Sequence, residues 1–215
     1  MKAITIFLFI FQISSFCFAQ DLEMLTEEKY KTLFLDKKQD SINQLLIGTK
    51  AKDFKFKTMK GDSIQLSDVQ GQPVVITIFF CVCAPCLDEI PLINQLAIKY
   101  TNQNVTFIAI STQDTPEIIE VMGQFSTRED KSTAYIDEIT VVAASYTGEA
   151  YRNPQDEDFK NETKDFLREN YLVDSAPMTF FIDKKGIIRF ISSGYSMKYD
   201  YFPFYQTKIE ALLKE

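Results

Sequence analysis

The chain has 215 residues, enough for one good-sized core with an insertion, so a single main domain is expected. Its 30 acidic residues outweigh 23 basic ones for a net charge of −7, with no basic tract, and nucleic-acid binding therefore has no electrostatic support. There is no histidine, and of the 4 cysteines Cys17 falls in an expected cleaved signal, so three sulfurs remain, one short of the four nitrogen or sulfur ligands a structural zinc site needs.

Residues 1–19 read as a cleaved secretory signal: Lys2, an apolar run from Ala3 to Phe11, then small and polar residues ending at Ala19. The apolar run is shorter than the roughly 20 residues a spanning helix needs, so no stable membrane span is expected after cleavage. Phe16 precedes Cys17, whereas a lipoprotein signal places a small residue before its acceptor cysteine. Lipidation at Cys17 is therefore not expected. Loss of Lys2 with the signal takes the net charge to −8.

Residues 20–47 carry Leu22, Leu25, Tyr30, Leu33, Phe34, Ile42, Leu45 and Leu46 at loosely helical spacing, which predicts an N-terminal helical arm. The main domain is expected over 48–215. Phe54 and Phe56, the Lys60-Gly61-Asp62 turn, then Ile64 and Leu66 predict a short hairpin. Val74 to Phe80, VVITIFF, is an unbroken β-branched and aromatic run, the pattern of a strand buried on both faces. Cys86, Ile90, Ile93, Ala97 and Tyr100 follow helical spacing, and Val105 to Ile110 is a second buried strand, so 74–110 reads as a βαβ unit with a parallel pair. Thr115-Pro116-Glu117 predicts a helix running to about Phe125. The stretch 132–160 is read as an insertion, in which Tyr135-Ile136 and Ile139 to Val142 have strand character. A helix is expected over Glu162–Asn170, a hairpin over Met178–Asp183 and Ile187–Ile191, and a closing helix over Tyr205–Lys214.

With Cys17 removed, the other three cysteines, Cys81, Cys83 and Cys86, fall within six consecutive residues. A staple joins distant parts of a chain, so this cluster points to chemistry. A thiol attacks as its thiolate, and free cysteine, with a pKa of about 8.5, is mostly protonated at neutral pH. Cys83 at a strand-to-helix junction places its sulfur beside free N–H groups at the positive end of the helix dipole. Cys86, about one turn further on, is the resolving partner, and Pro85 in the first turn removes one donor from the set facing the sulfur.

Four segments resemble the TlpA/ResA-like branch of thioredoxin-fold proteins, exported bacterial thiol–disulfide oxidoreductases: GTKAKDF (48–54), LSDVQGQPVVITIFF (66–80), CAPCLDEIP (83–91) and APMTFFIDKKGII (176–188). The resemblance implies an α/β fold with a central mixed sheet flanked by helices. It further implies Cys83 as nucleophile, Cys86 as its redox-active disulfide partner, and Glu89 as an acid modulating proton transfer. Charge alone would make Glu89 an exposed helix residue. Pro177 would be a cis-proline beside the dithiol, and Ala176 would offer backbone groups to a substrate strand. The implied partners are extracytoplasmic protein thiols and disulfides and an upstream electron donor, in the periplasm of a Gram-negative bacterium, with reduction as the direction. No cofactor and no resident metal are expected.

Three positions depart from the branch. Lys52 stands where proline is usual, Val82 where a tryptophan usually precedes the first cysteine, and Cys81 where a small polar residue is more common. Cys81 is read as a buried strand cysteine, or alternatively as a third thiol for an alternative disulfide or for soft Cu(I) binding. A peroxiredoxin-like alternative rests on Pro73 and Thr77, with Cys81 one residue too late for that signature. A binding role with a silent dithiol is the remaining alternative.

Overall fold

A computed structural model describes residues 37–114, 117–120, 135, 137–143 and 162–215. The expected signal, most of the expected arm and most of the 132–160 stretch lie outside these residues.

The first described helix, α1 (Lys37–Leu46), meets the rest of the protein through Asn43, which is buried and donates its side-chain amide to Ser193 Oγ at 2.9 Å. A two-stranded antiparallel hairpin follows, β1 (Lys55–Lys57) and β2 (Ser63–Gln65), with Leu66–Val69 closing it as a 3-10 turn.

The centre of the molecule is β3 (Val74–Phe79), all six residues of which are buried. Such a run can hide only between two layers. On one side β3 pairs in parallel with β4 (Thr106–Ser111), which pairs in parallel with β5 (Ile139–Val142). On the other side it pairs antiparallel with β6 (Met178–Ile182), which pairs antiparallel with β7 (Ile188–Ser193). The sheet order is β5-β4-β3-β6-β7. The β6–β7 turn uses Gly186 at φ +80°, and Asp183 Oδ1 accepts from the N–H groups of Lys185 and Ile187 at 2.8 Å each, which ties that turn together.

Helix α2 (Ala84–Tyr100) connects β3 to β4 and covers one face of the sheet with α4 (Tyr201–Lys214). Cys86, Ile90, Ile93, Ala97 and Tyr100, the stripe expected from periodicity, are each buried, and all but Ile90 belong to the core cluster on that face. The opposite face is covered by α3 (Glu162–Tyr171) and the β1–β2 hairpin, where Phe54, Phe166 and Tyr171 meet edge to face.

The strand character of Ile139 to Val142 is realised as β5, an edge strand of the central sheet, and isolated pairing of Thr58 with Val142 ties it to the hairpin; one helix boundary changes. The closing helix begins at Tyr201, four residues before the expected Tyr205, because Asp200 caps it by accepting the Phe202 N–H at 3.1 Å. Residues 117–120 are helical, and the rest of the helix expected there lies outside the described residues. Among the described residues no helix is long and apolar enough to cross a membrane.

Candidate active site

The redox centre forms where β3 ends. The chain leaves the sheet after Phe79, turns through Cys81 and Val82, and enters α2 with Cys83 as its N-cap. Cys83 and Cys86 are joined as a disulfide with their Cα atoms 5.2 Å apart. The Cys86 N–H donates to Cys83 Sγ at 3.2 Å and to the Cys83 carbonyl oxygen at 3.0 Å, so this first-turn amide is shared between the sulfur and the turn. The two cysteines differ in access, Cys83 being 6% exposed and Cys86 only 1%. Pro85 occupies the first turn, where its missing N–H breaks no helical bond.

The Ala176-Pro177 peptide is cis, and the Ala176 carbonyl oxygen lies 3.6 Å from Cys83 Sγ. These two residues sit 93 positions apart in sequence and are brought together because β6 lies next to β3. A groove of about 310 Å³ adjoins them, lined by Phe80, Thr112, Gln113, Arg168, Ser175 and Ala176 among others.

Glu89 is buried, 2% exposed, which overturns the exposed position expected from its charge alone. It lies three residues after Cys86 on α2, on the same side of the helix. Its Oε1 accepts from Tyr205 Oη at 2.6 Å and Thr179 Oγ1 at 3.2 Å, and its Oε2 accepts from Thr77 Oγ1 at 3.1 Å. Burial raises its pKa to about 7, against the three hydroxyl donors, which pull it down.

Cys81 departs from the expected strand position, since β3 ends at Phe79 and Cys81 lies in the turn. It is nevertheless buried, at 3% exposure, and its thiol is pushed up to about 12, first by burial and then by the neighbouring Asp114 carboxylate. Asp114 Oδ2 also accepts from the Cys81 N–H at 2.6 Å and from Ser111 Oγ at 2.8 Å. Sequence reasoning missed Asp114; the available signal was Ser111-x-x-Asp114 at a strand end, where short polar side chains bind local backbone. Val82, in the position of the usual tryptophan, is 83% exposed. Among the described residues no group of three or more histidine, cysteine, aspartate or glutamate side chains is arranged to hold a metal ion.

Comparison with known proteins agrees with this geometry. The AhpC/TSA family matches residues 47–191, more than half of the chain. The chain belongs to the AhpC/TSA family. Within the family its similarity runs to the ResA-like proteins, as the four sequence motifs implied. It is 29% identical over 118 residues to the thiol-disulfide oxidoreductase ResA of Bacillus cereus, a match covering 55% of this chain and 64% of that one, a little under two thirds of the relative's length. It is 24% identical over 147 residues to the thioredoxin-like protein YneN of Bacillus subtilis, covering 68% of this chain and 71% of that one. Among solved structures, a thiol:disulfide interchange protein of the thioredoxin family from Chlorobium tepidum superposes with a TM-score of 0.54 at 19% identity, covering 77% of this chain and 97% of that one. At that identity the likeness shows the fold, which is the thioredoxin-like α/β fold with a mixed central sheet flanked by helices.

Proposed function

We propose that the protein is a thiol–disulfide oxidoreductase that exchanges disulfides with exported proteins through Cys83 and Cys86, working as a reductant. The observation that carries this reading is the bonded Cys83–Cys86 pair at the start of α2, with a helix-terminal N–H on the more exposed sulfur.

In the reduced protein the Cys83 thiolate, favoured by the helix N-terminus, attacks one sulfur of a substrate disulfide. The other substrate sulfur leaves as a thiolate, and a mixed disulfide on Cys83 remains. The Cys86 thiol then loses its proton, attacks Cys83 Sγ and expels the second substrate sulfur. Two electrons have passed to the substrate and the protein holds the Cys83–Cys86 disulfide, so an upstream thiol donor must return it to the dithiol. Glu89, one helical turn from Cys86 and poised near neutrality, is the acceptor for the Cys86 proton, which no bulk water reaches at 1% exposure. The groove beside Ala176 suits a substrate polypeptide, with the Ala176 backbone meeting it near Cys83. The signal-like pattern over 1–19 supports export to the periplasm.

The burial of Cys81 weighs against the alternatives that need it. A peroxidatic thiol has to ionise near neutral pH, whereas that of Cys81 is pushed up to about 12. A three-sulfur Cu(I) site needs Cys81 to converge with the pair, and its thiol faces Asp114 instead. Expression of a Cys86→Ser variant in the native host tests the proposal. Substrates should accumulate on Cys83 as mixed disulfides released by dithiothreitol; a folded variant that traps nothing contradicts it.

A further inference from the structure

Glu89 draws its hydrogen bonds from three separate elements: Thr77 on β3, Thr179 on β6 and Tyr205 on α4. The donors are not equivalent. Each threonine hydroxyl has one hydrogen and competing uses for it, since Thr179 Oγ1 lies 3.2 Å from Glu89 and 3.3 Å from Thr77 Oγ1, while Thr77 also faces Tyr135. The Tyr205 hydroxyl makes the shortest contact, 2.6 Å, and its own oxygen is reached by the hydroxyls of Ser192 and Thr179, which can donate to it. Its single hydrogen is thereby directed to Glu89. The ring is fully buried and fixed edge-on against Phe181 at 5.1 Å and Tyr201 at 5.6 Å, so the hydroxyl is held by packing rather than by choice of rotamer.

We propose that Tyr205 is a positioning residue for the redox centre: from the C-terminal helix, its hydroxyl orients Glu89 and holds it as the carboxylate that accepts the Cys86 proton. The inference rests on the exchange mechanism above and extends it to a helix to which that scheme gives no role. The other titratable groups facing Glu89 do not compete for the role. Tyr135, ahead of β5, and Tyr195, after β7, both have pKa values raised by burial and by the Glu89 charge, so they stay neutral near pH 7. Asp88, on α2, and Asp200, the cap of α4, also act on Tyr195, and neither is among the groups that shift Glu89.

The Tyr205→Phe variant keeps the ring and removes only the hydroxyl. Carbon-13 NMR of the Glu89 carboxyl should show its titration midpoint raised by about one unit, a tenfold change in acidity of the size expected from losing one hydrogen bond to a charged group. Release of a preformed mixed disulfide on Cys83 should slow about fivefold at pH 7, with its pH profile displaced upward by the same amount. Incorporating 3-fluorotyrosine at position 205, whose hydroxyl is a stronger donor, should move the midpoint the opposite way. Thr179→Val should move it upward by less than Tyr205→Phe. An unchanged Glu89 midpoint in Tyr205→Phe, or a raised midpoint with an unmoved release profile, overturns the proposal. Failure of the wild-type protein to exchange disulfides at all would strike the enzymatic reading instead, and the carboxyl titration would still report separately whether Tyr205 holds Glu89.

Discussion

Cys81 and Cys83 are two residues apart in one turn and carry the same side chain, yet the fold gives them opposite chemistry. Cys81 faces inward, its thiol beside the Asp114 carboxylate and its N–H bonded to the same group, so ionisation would place two negative charges together in a buried site. Cys83 faces the helix N-terminus, where the Cys86 N–H meets its sulfur and the helix dipole favours an anion. On the proposed exchange mechanism, reactivity in this cluster is set by backbone direction over two residues rather than by cysteine content. The buried thiol acts as a small apolar side chain with one polar tether.

The sharpest way to break the comparison is to exchange the two residues' roles by deletion. Cys83→Ser should abolish reduction of insulin disulfides, a loss of at least about a thousandfold, because Cys81 is buried beside Asp114 and Cys86 is the least exposed of the three sulfur-bearing residues. Cys81→Ser should leave the initial rate within about twofold. Equal losses in both would mean that Cys81 takes part in exchange.

Glu89 extends the comparison to a third buried acid, and here pH supplies the test. Its native pKa of about 7 stands above the unfolded value of 4.5, so between those limits the native state holds more protons than the unfolded state. Stability from this group is full below pH 4.5 and is lost as pH rises toward 7. Measured by urea unfolding at pH 5 and pH 8, the wild-type protein should lose between about 2 and 3 kcal/mol relative to Glu89→Gln across that window. A constant difference between the two would contradict the buried, half-charged Glu89.

A smaller effect is expected on the Cys81 side of the comparison. Asp114→Ala leaves the Cys81 N–H and the Ser111 hydroxyl without their acceptor and should lower stability by about 2 kcal/mol, read as a fall in Tm. It should also make Cys81 easier to alkylate, because a raising influence on its thiol is gone.

Which parts were legible in the sequence follows from how local their causes are. The VVITIFF run and the Cys86, Ile90, Ile93, Ala97, Tyr100 stripe state their own burial, because strand and helix periodicities repeat within a few residues. The Cys83–Cys86 pairing was equally local. Burial of Glu89 was not: its partners lie 12, 90 and 116 residues away, and only the folded sheet and α4 bring the hydroxyls together. β5 was half legible: Ile139 to Val142 show strand character, but four residues carry too little pattern to say that they join the central sheet as its edge. The early start of α4 was readable in principle, since Asp200 caps it and Pro203 falls in its first turn, but the aromatic run around them masked the helical spacing.

The central claim is that one sulfur of the three is activated by its place at a helix terminus. The direct test is alkylation of the fully reduced protein with iodoacetamide across pH 5 to 10, with Cys81, Cys83 and Cys86 followed separately by peptide mass spectrometry. Cys83 should react first, with a midpoint below the roughly 8.5 of free cysteine, while Cys81 stays unmodified throughout. Alkylation of Cys83 with the midpoint of an ordinary thiol, or of Cys81 alongside it, would contradict the account.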